Sequence, residues 1–96
     1  MAKGYWIVHV TVNNVEEYPT YVAAASKALA PYNARFLARG GKSDVVEGTS
    51  RDRHVVVEFE SYEKAVECYN SPDYKVAIAL RQRFADSELI IVEGAD

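Results

Sequence analysis

Residues Tyr5 to Val12 alternate, with Trp6, Val8, Val10 and Val12 all apolar in a run rich in β-branched and aromatic types, which predicts a half-buried strand. Asn13 and Asn14 then offer a turn and a helix cap, Glu16 and Glu17 stand where a helix dipole favours acids, and Tyr18, Val22, Ala25, Leu29 and Tyr32 recur at steps of four and three. A first helix is expected from near Pro19, tolerated in the opening turn, to about Leu29, with Pro31 ending it. Arg35 to Arg39 and Asp44 to Glu47 read as two halves of a second strand, interrupted at Gly40-Gly41-Lys42 by a bulge, a bend or a hairpin. Arg53 to Glu60 reads as a third strand, with Val55, Val57 and Phe59 on one face and His54, Val56, Glu58 and Glu60 on the other. Ser61 caps a short helix carrying Tyr62, Ala65, Val66 and Tyr69. Ser71-Pro72 restarts it through Tyr74, Ala77 and Leu80 to about Phe84, and Glu88 to Glu93 closes the pattern as a fourth strand.

The order βαββαβ predicts an α+β, ferredoxin-like domain over residues 1–96: a four-stranded antiparallel sheet with the helices on one face and strands one and three as central neighbours. Helices cover only that face, yet Leu89 to Val92, Val55 to Val57 and Val45-Val46 are continuous apolar runs of the kind found in strands buried on both sides. Left in water, Tyr5, Ile7, Val56, one of Val45 or Val46 and two of Leu89 to Val92 would make a patch of roughly 500 Å², at the upper limit for monomers. Covering it on each subunit is worth on the order of 12 kcal/mol before the costs of association. A homodimer with two sheets face to face is therefore expected.

Length agrees with that expectation. A chain of 96 residues hides only about 60–65% of its unfolded surface on its own, and association supplements a thin margin. One cysteine, Cys68, makes no internal disulfide and fits a reducing compartment. Net charge is −3 with a pI near 5.3, and the Lys and Arg residues are scattered among acids, which argues against nucleic acid as a partner. No apolar run approaches the roughly 20 residues that span a bilayer, and the Met1 to His9 segment reads as a strand instead of a secretory signal. A cytoplasmic protein with no membrane partner is expected.

Two sets of side chains could carry chemistry. His9, His54 and Glu58 share the less apolar face of the two central strands; as a cluster they could transfer protons or bind a divalent metal, or hydrogen-bond across a dimer interface. No close-spaced ligand motif supports a metal, and no cofactor is expected. On the other face, between sheet and helices, Trp6, Tyr18, Tyr62, Tyr69 and Tyr74 with Arg81 are either core or the wall of a cleft for a flat, partly anionic metabolite. Asn70-Ser71-Pro72 is either an ordinary cap or an anion site. Arg39-Gly40-Gly41-Lys42 lacks the spacing of a phosphate-binding loop, and Arg39 pairs an acid or orients a ligand carboxylate at the sheet edge. Cys68, mid-helix and without a nearby His, reads as a buried inert thiol.

Gly4-Tyr5-Trp6-Ile7, Phe36-Leu37-Ala38-Arg39-Gly40-Gly41, Val56 to Tyr62, Tyr69-Asn70-Ser71-Pro72-Asp73-Tyr74, Arg81 and Ile91-Val92-Glu93-Gly94 together resemble the bacterial family catalogued as domain of unknown function 1330. The resemblance implies a ferredoxin-like protomer in a dimeric α+β barrel, a superfamily that includes small cofactor-free monooxygenases, muconolactone-isomerase-like enzymes and haem-handling relatives. It implies a ligand between sheet and helices, with Arg39, Asn70, Ser71, Tyr74 and Arg81 as candidate positions; Cys68 stands where the family more often has a bulky residue. The expectation is a homodimer that binds a small aromatic or enol-like metabolite, with monooxygenase or isomerase chemistry. Tyr74 would be the proton donor, Arg39 the carboxylate or enolate partner, Trp6 and Tyr69 the walls, and Asn70 or Ser71 the orienting group, with Tyr18 and Arg81 as further binding residues. The alternative is a non-catalytic binding or regulatory module of the same fold.

Overall fold

A computed structural model describes residues 2–95. Strand β1 (Gly4–Val12) lies at the centre of an antiparallel sheet, paired with β3 (Arg53–Phe59) on one side and β4 (Ala85–Glu93) on the other, while β2 (Arg35–Arg39) adds to the outside of β3. Helices α1 (Tyr18–Leu29), α2 (Tyr62–Tyr69) and α3 (Pro72–Phe84) cover one face. This is the ferredoxin-like arrangement that the order of elements predicts.

Alternation along β1 sorts its side chains as expected: Trp6, Val8 and Val10 are buried under the helices, and Tyr5, Ile7 and His9 point the other way. Asn14 closes the turn into α1, its Oδ1 accepting from Glu17 N at 3.1 Å and its carbonyl from Tyr18 N at 3.0 Å. The amides of Asn13 and Asn14 donate to the Phe84 carbonyl at 2.8 and 3.1 Å, which satisfies an otherwise orphaned group at the end of α3. Pro31 falls in a 3₁₀ turn (Ala30–Tyr32) that ends at Asn33, whose φ of 53° is left-handed. Ser61 and Ser71 cap α2 and α3, accepting from Lys64 N at 3.1 Å and Tyr74 N at 3.3 Å. At Gly4 a Cβ would collide with the Ser61 carbonyl and the Tyr62 backbone, so the start of α2 rests directly on β1.

Two expectations about the second strand need correction. Asp44 to Glu47 is not a strand; Val46 is 82% exposed, and the segment pairs with none of the four strands, β3 having β2 and β1 on its two edges. The irregularity also sits earlier than Gly40-Gly41. Phe36 faces Val57, but Ala38 faces Val56 and Arg39 faces Val55, so Leu37 is the extra residue of a bulge. Regular alternation from Phe36 would put Arg39 on the open face; the bulge turns it onto the helix face instead. The last strand begins at Ala85, three residues earlier than expected, directly from α3.

The face away from the helices carries Val56, Ile7 and Ile90 in one cross-strand row and Glu58, Tyr5 and Val92 in another. Ile90 is 53% and Val92 40% exposed. Leu89 and Ile91 turn inward, so the continuous run at the end of the chain does serve two faces. No helix among the described residues is long and apolar enough to cross a membrane.

Candidate functional site

Between the sheet and α1 lies a cleft enclosing about 470 Å³ of space, part of it open to solvent. Trp6, Val8, Val10 and Val57 form its floor, Tyr18, Tyr21, Val22, Ala25 and Leu29 its helical wall, and Phe36, Arg39, Arg53, Val55 and Tyr74 complete it. The lining is apolar and aromatic with three phenols and two guanidinium groups, and it includes no carboxylate among the described residues.

Trp6 contributes a ring face. Its Nε1 donates to the Ala65 carbonyl at 3.0 Å, and its ring centroid lies 4.7 Å from Tyr74 and 5.0 Å from Phe59. Tyr69 stands behind this layer, 6.0 Å from Trp6 and 5.6 Å from Tyr74, outside the lining. Tyr18 does line the cleft; burial first, then Tyr21, raises its phenol above the ordinary value. Tyr62, read from sequence as a wall residue, is 38% exposed at the start of α2 and does not line the cleft.

Polar chemistry centres on Tyr74. Arg81, only 6% exposed, donates from Nη1 to the Tyr74 hydroxyl at 2.9 Å, and that hydroxyl lies 2.9 Å from the hydroxyl of Tyr21. Burial pushes the Tyr74 phenol well above its ordinary pKa, with Tyr21 adding to the rise and Arg81 only partly offsetting it. Tyr74 therefore stays protonated and is a donor, not a base. Arg81 Nη1 also lies 3.5 Å from the Tyr21 hydroxyl, and either phenol can donate to the other, so one proton of the pair is left for a ligand in the cleft.

Arg39 lies at the exposed mouth, its guanidinium 4.0 Å over the Phe36 ring and its Nη2 donating to Ser26 Oγ at 3.3 Å. Arg53 lies over Tyr18, 5.6 Å from the ring centroid, and its buried Nε has no hydrogen-bond partner. Tyr21 and Arg53 were not singled out from the sequence. Both had a signal, since Tyr21 follows Tyr18 by one helical step and Arg53 has the parity of Val55 and Val57.

Asn70 and Ser71 do not face the cleft. Asn70 Nδ2 donates to the Val66 carbonyl at 3.0 Å, while Ser71 Oγ donates to the Cys68 carbonyl at 2.7 Å and accepts from Tyr74 N. They are cap residues whose polar atoms are engaged locally, and neither is a cleft residue. Cys68 is fully buried, and burial pushes its thiol up to about 12.

On the open face His9 Nδ1 lies 2.8 Å from His54 Nδ1. Glu58 does not join them: it is four residues along β3 and accepts from the Tyr5 hydroxyl at 3.1 Å. Strand spacing separates what parity places on one face. Glu88, next to His9 in the row, pairs with Arg51 at 2.7 Å. No group of three or more metal-ligating side chains occurs among the described residues.

Residues 3–95 match the family described as "Domain of unknown function (DUF1330)". No functionally curated protein matches the sequence. Among solved structures, the fold is similar to RPA0582, a protein of unknown function from Rhodopseudomonas palustris (19% identity over 99% of this chain and 84% of that one, TM-score 0.76). It is also similar to a dimeric ferredoxin-like protein of unknown function from Thermobifida fusca (19% identity, 99% and 92%, TM-score 0.62). A third is SnoaB, a cofactor-independent oxygenase from Streptomyces nogalater (11% identity, 100% and 96%, TM-score 0.66). At these identities the likeness is one of fold.

Proposed function

The chain belongs to the DUF1330 family, and we propose that it acts as a homodimer that binds a small, flat, aromatic or enol-like metabolite in the cleft between sheet and α1. The observation that carries this reading is the hydrogen-bonded chain of Arg81, Tyr74 and Tyr21 at an apolar wall, with Tyr74 beside the Trp6 ring. Donors preset in a desolvated site stabilise charge that develops on a ligand oxygen, as an enolate requires. Tyr74 supplies the proton or hydrogen bond through Tyr21, Arg39 the positive charge at the mouth, and Trp6 and Tyr18 the walls.

The likeness to a cofactor-independent oxygenase supports oxygenase or isomerase chemistry on an ionised enol. A non-catalytic binding or regulatory module is the second reading, and one observation favours it. The lining has phenols and guanidinium groups but no His, Asp or Glu among the described residues to act as a general base. Association through the open face is supported by the exposed apolar rows of β1, β3 and β4 and by relatives described as dimeric. The cytoplasm suits a chain whose single thiol stays buried and reduced.

The test is a thermal-shift screen of aromatic and enolic metabolites with product analysis of each hit. Turnover selects the enzyme, and a shifted melting temperature without product selects the binding module. Hits whose affinity is unchanged in folded Tyr74→Phe and Arg39→Ala proteins would remove the assignment of these residues.

A further inference from the structure

We propose that Arg39 and Arg53 form a clamp for a carboxylate, so that the ligand of the cleft is a flat apolar body bearing one carboxylate held at the mouth. The proposal rests on the cleft reading and names the ionic group that reading leaves open.

The bulge at Leu37 places Arg39 opposite Val55, and Arg53 lies two residues from Val55 on the same face of β3. The two cations are thus diagonal neighbours across a strand pair, within reach of one another for long side chains, where like charges repel. Neither forms an ion pair among the described residues, although the chain has 14 acidic against 11 basic side chains. The ion pairs among the described residues, Arg51 with Glu88 and Lys64 with Glu67, lie elsewhere. Arg39 lies over Phe36 and Arg53 over Tyr18, and a ring occupies the face of a guanidinium while leaving its edge for hydrogen bonds, of which Arg39 Nη2 makes one to Ser26 Oγ. The Arg53 Nε is without a partner but buried, as is that of Arg81 outside the cleft, so a ligand in the cleft would meet Arg53 through its terminal nitrogens.

The backbone makes room for this arrangement. Gly40, at φ 69°, donates to the His54 carbonyl at 2.9 Å, and a Cβ at this position would collide with the Arg53 guanidinium. A left-handed glycine and a bulge together bring two forks to one end of an apolar slot. Two edges of planar donors fit the planar oxygens of a carboxylate.

Cinnamate and cinnamamide have the same shape and differ in the charge at one end, and Trp6, the single tryptophan, reports occupancy of the cleft through its indole resonance. Calorimetric titration of the wild-type protein at low salt is expected to show cinnamate at least tenfold tighter than cinnamamide, with the Trp6 indole signal shifting. Arg53→Met is expected to bring the two ligands within about threefold, and Arg53→Lys, which keeps the charge but loses the fork, to give an intermediate ratio. Equal binding of both probes with a shifted indole overturns the clamp and leaves the cleft reading standing. An indole signal unmoved by either probe overturns the cleft reading and the clamp with it. A melting temperature of ligand-free Arg53→Met several degrees below wild type shows that Arg53 is a structural support, and also overturns the clamp; an unchanged or higher value supports it, since it removes one of two repelling charges.

Discussion

Cys68 and Tyr74 are buried acids whose pKa values rise on folding, and the direction sets how the protein responds to alkali. The free thiol titrates near 9, but burial pushes that of Cys68 up to about 12; the Tyr74 phenol moves upward from 10 for the same reason. A raised folded pKa means that the native state holds the proton more tightly. The stability it confers is intact below the unfolded pKa and falls as pH rises from 9 towards the folded values. The urea midpoint is therefore expected to be lower at pH 10.5 than at pH 8, and an equal midpoint would contradict the burial of both groups. At pH 8 a disulfide reagent should modify Cys68 only as fast as the protein opens, with rapid reaction once urea unfolds it. Tyr74→Phe removes the hydroxyl that bridges Arg81 and Tyr21 and leaves only their direct contact of 3.5 Å. It is expected to weaken ligand affinity by about tenfold, with the loss read by calorimetry on a protein whose circular dichroism is unchanged.

The serine caps illustrate how much of the chain is legible at the scale of elements. Ser61 and Ser71 were identifiable because a small hydroxyl residue before a helical run accepts a backbone N–H, and both do so. Ser71→Ala is expected to lower stability by about 1 kcal/mol and to leave ligand affinity unchanged, because its hydroxyl is engaged by Cys68 and Tyr74. A selective loss of affinity in that variant would restore the anion-site reading. Element order and the two faces of β1, β3 and β4 are readable because period-two and period-3.6 patterns are local. The bulge at Leu37 was not readable, since nothing in Arg35 to Arg39 says which residue drops out of the pairing, and the direction of Arg39 depends on it. Val45-Val46 misled for a related reason: two valines satisfy strand propensity, but a strand also needs a partner, and this segment pairs with none of the four strands. Within the site, Trp6, Tyr18, Tyr74 and Arg81 followed from periodicity. Tyr21 and Arg53 lay beside that pattern, at positions where period alone does not show which end of a strand or helix opens to solvent.

For the molecule as a whole, the quaternary state is expected to turn on the open face. Val56, Ile7 and Ile90 form an apolar row across three strands, flanked by Tyr5 and Val92, and twofold stacking of such faces is the closed arrangement available to identical subunits. Sedimentation of the wild-type protein at micromolar concentration is expected to give twice the chain mass of 10.7 kDa. Ile90→Arg, placed at the most exposed position of that row, should shift it to the single-chain mass without changing helix content. Wild-type particles of 10.7 kDa would refute the dimer. The sheet's outer margin points to the same closed pair. Strand β2 is only five residues long, is kinked at Leu37 and has arginine at both ends, so it offers a poor template for another ribbon to add alongside. Lateral accretion is discouraged along this one of the sheet's two margins, the other being the nine-residue β4, and face-to-face pairing is the contact the apolar row invites.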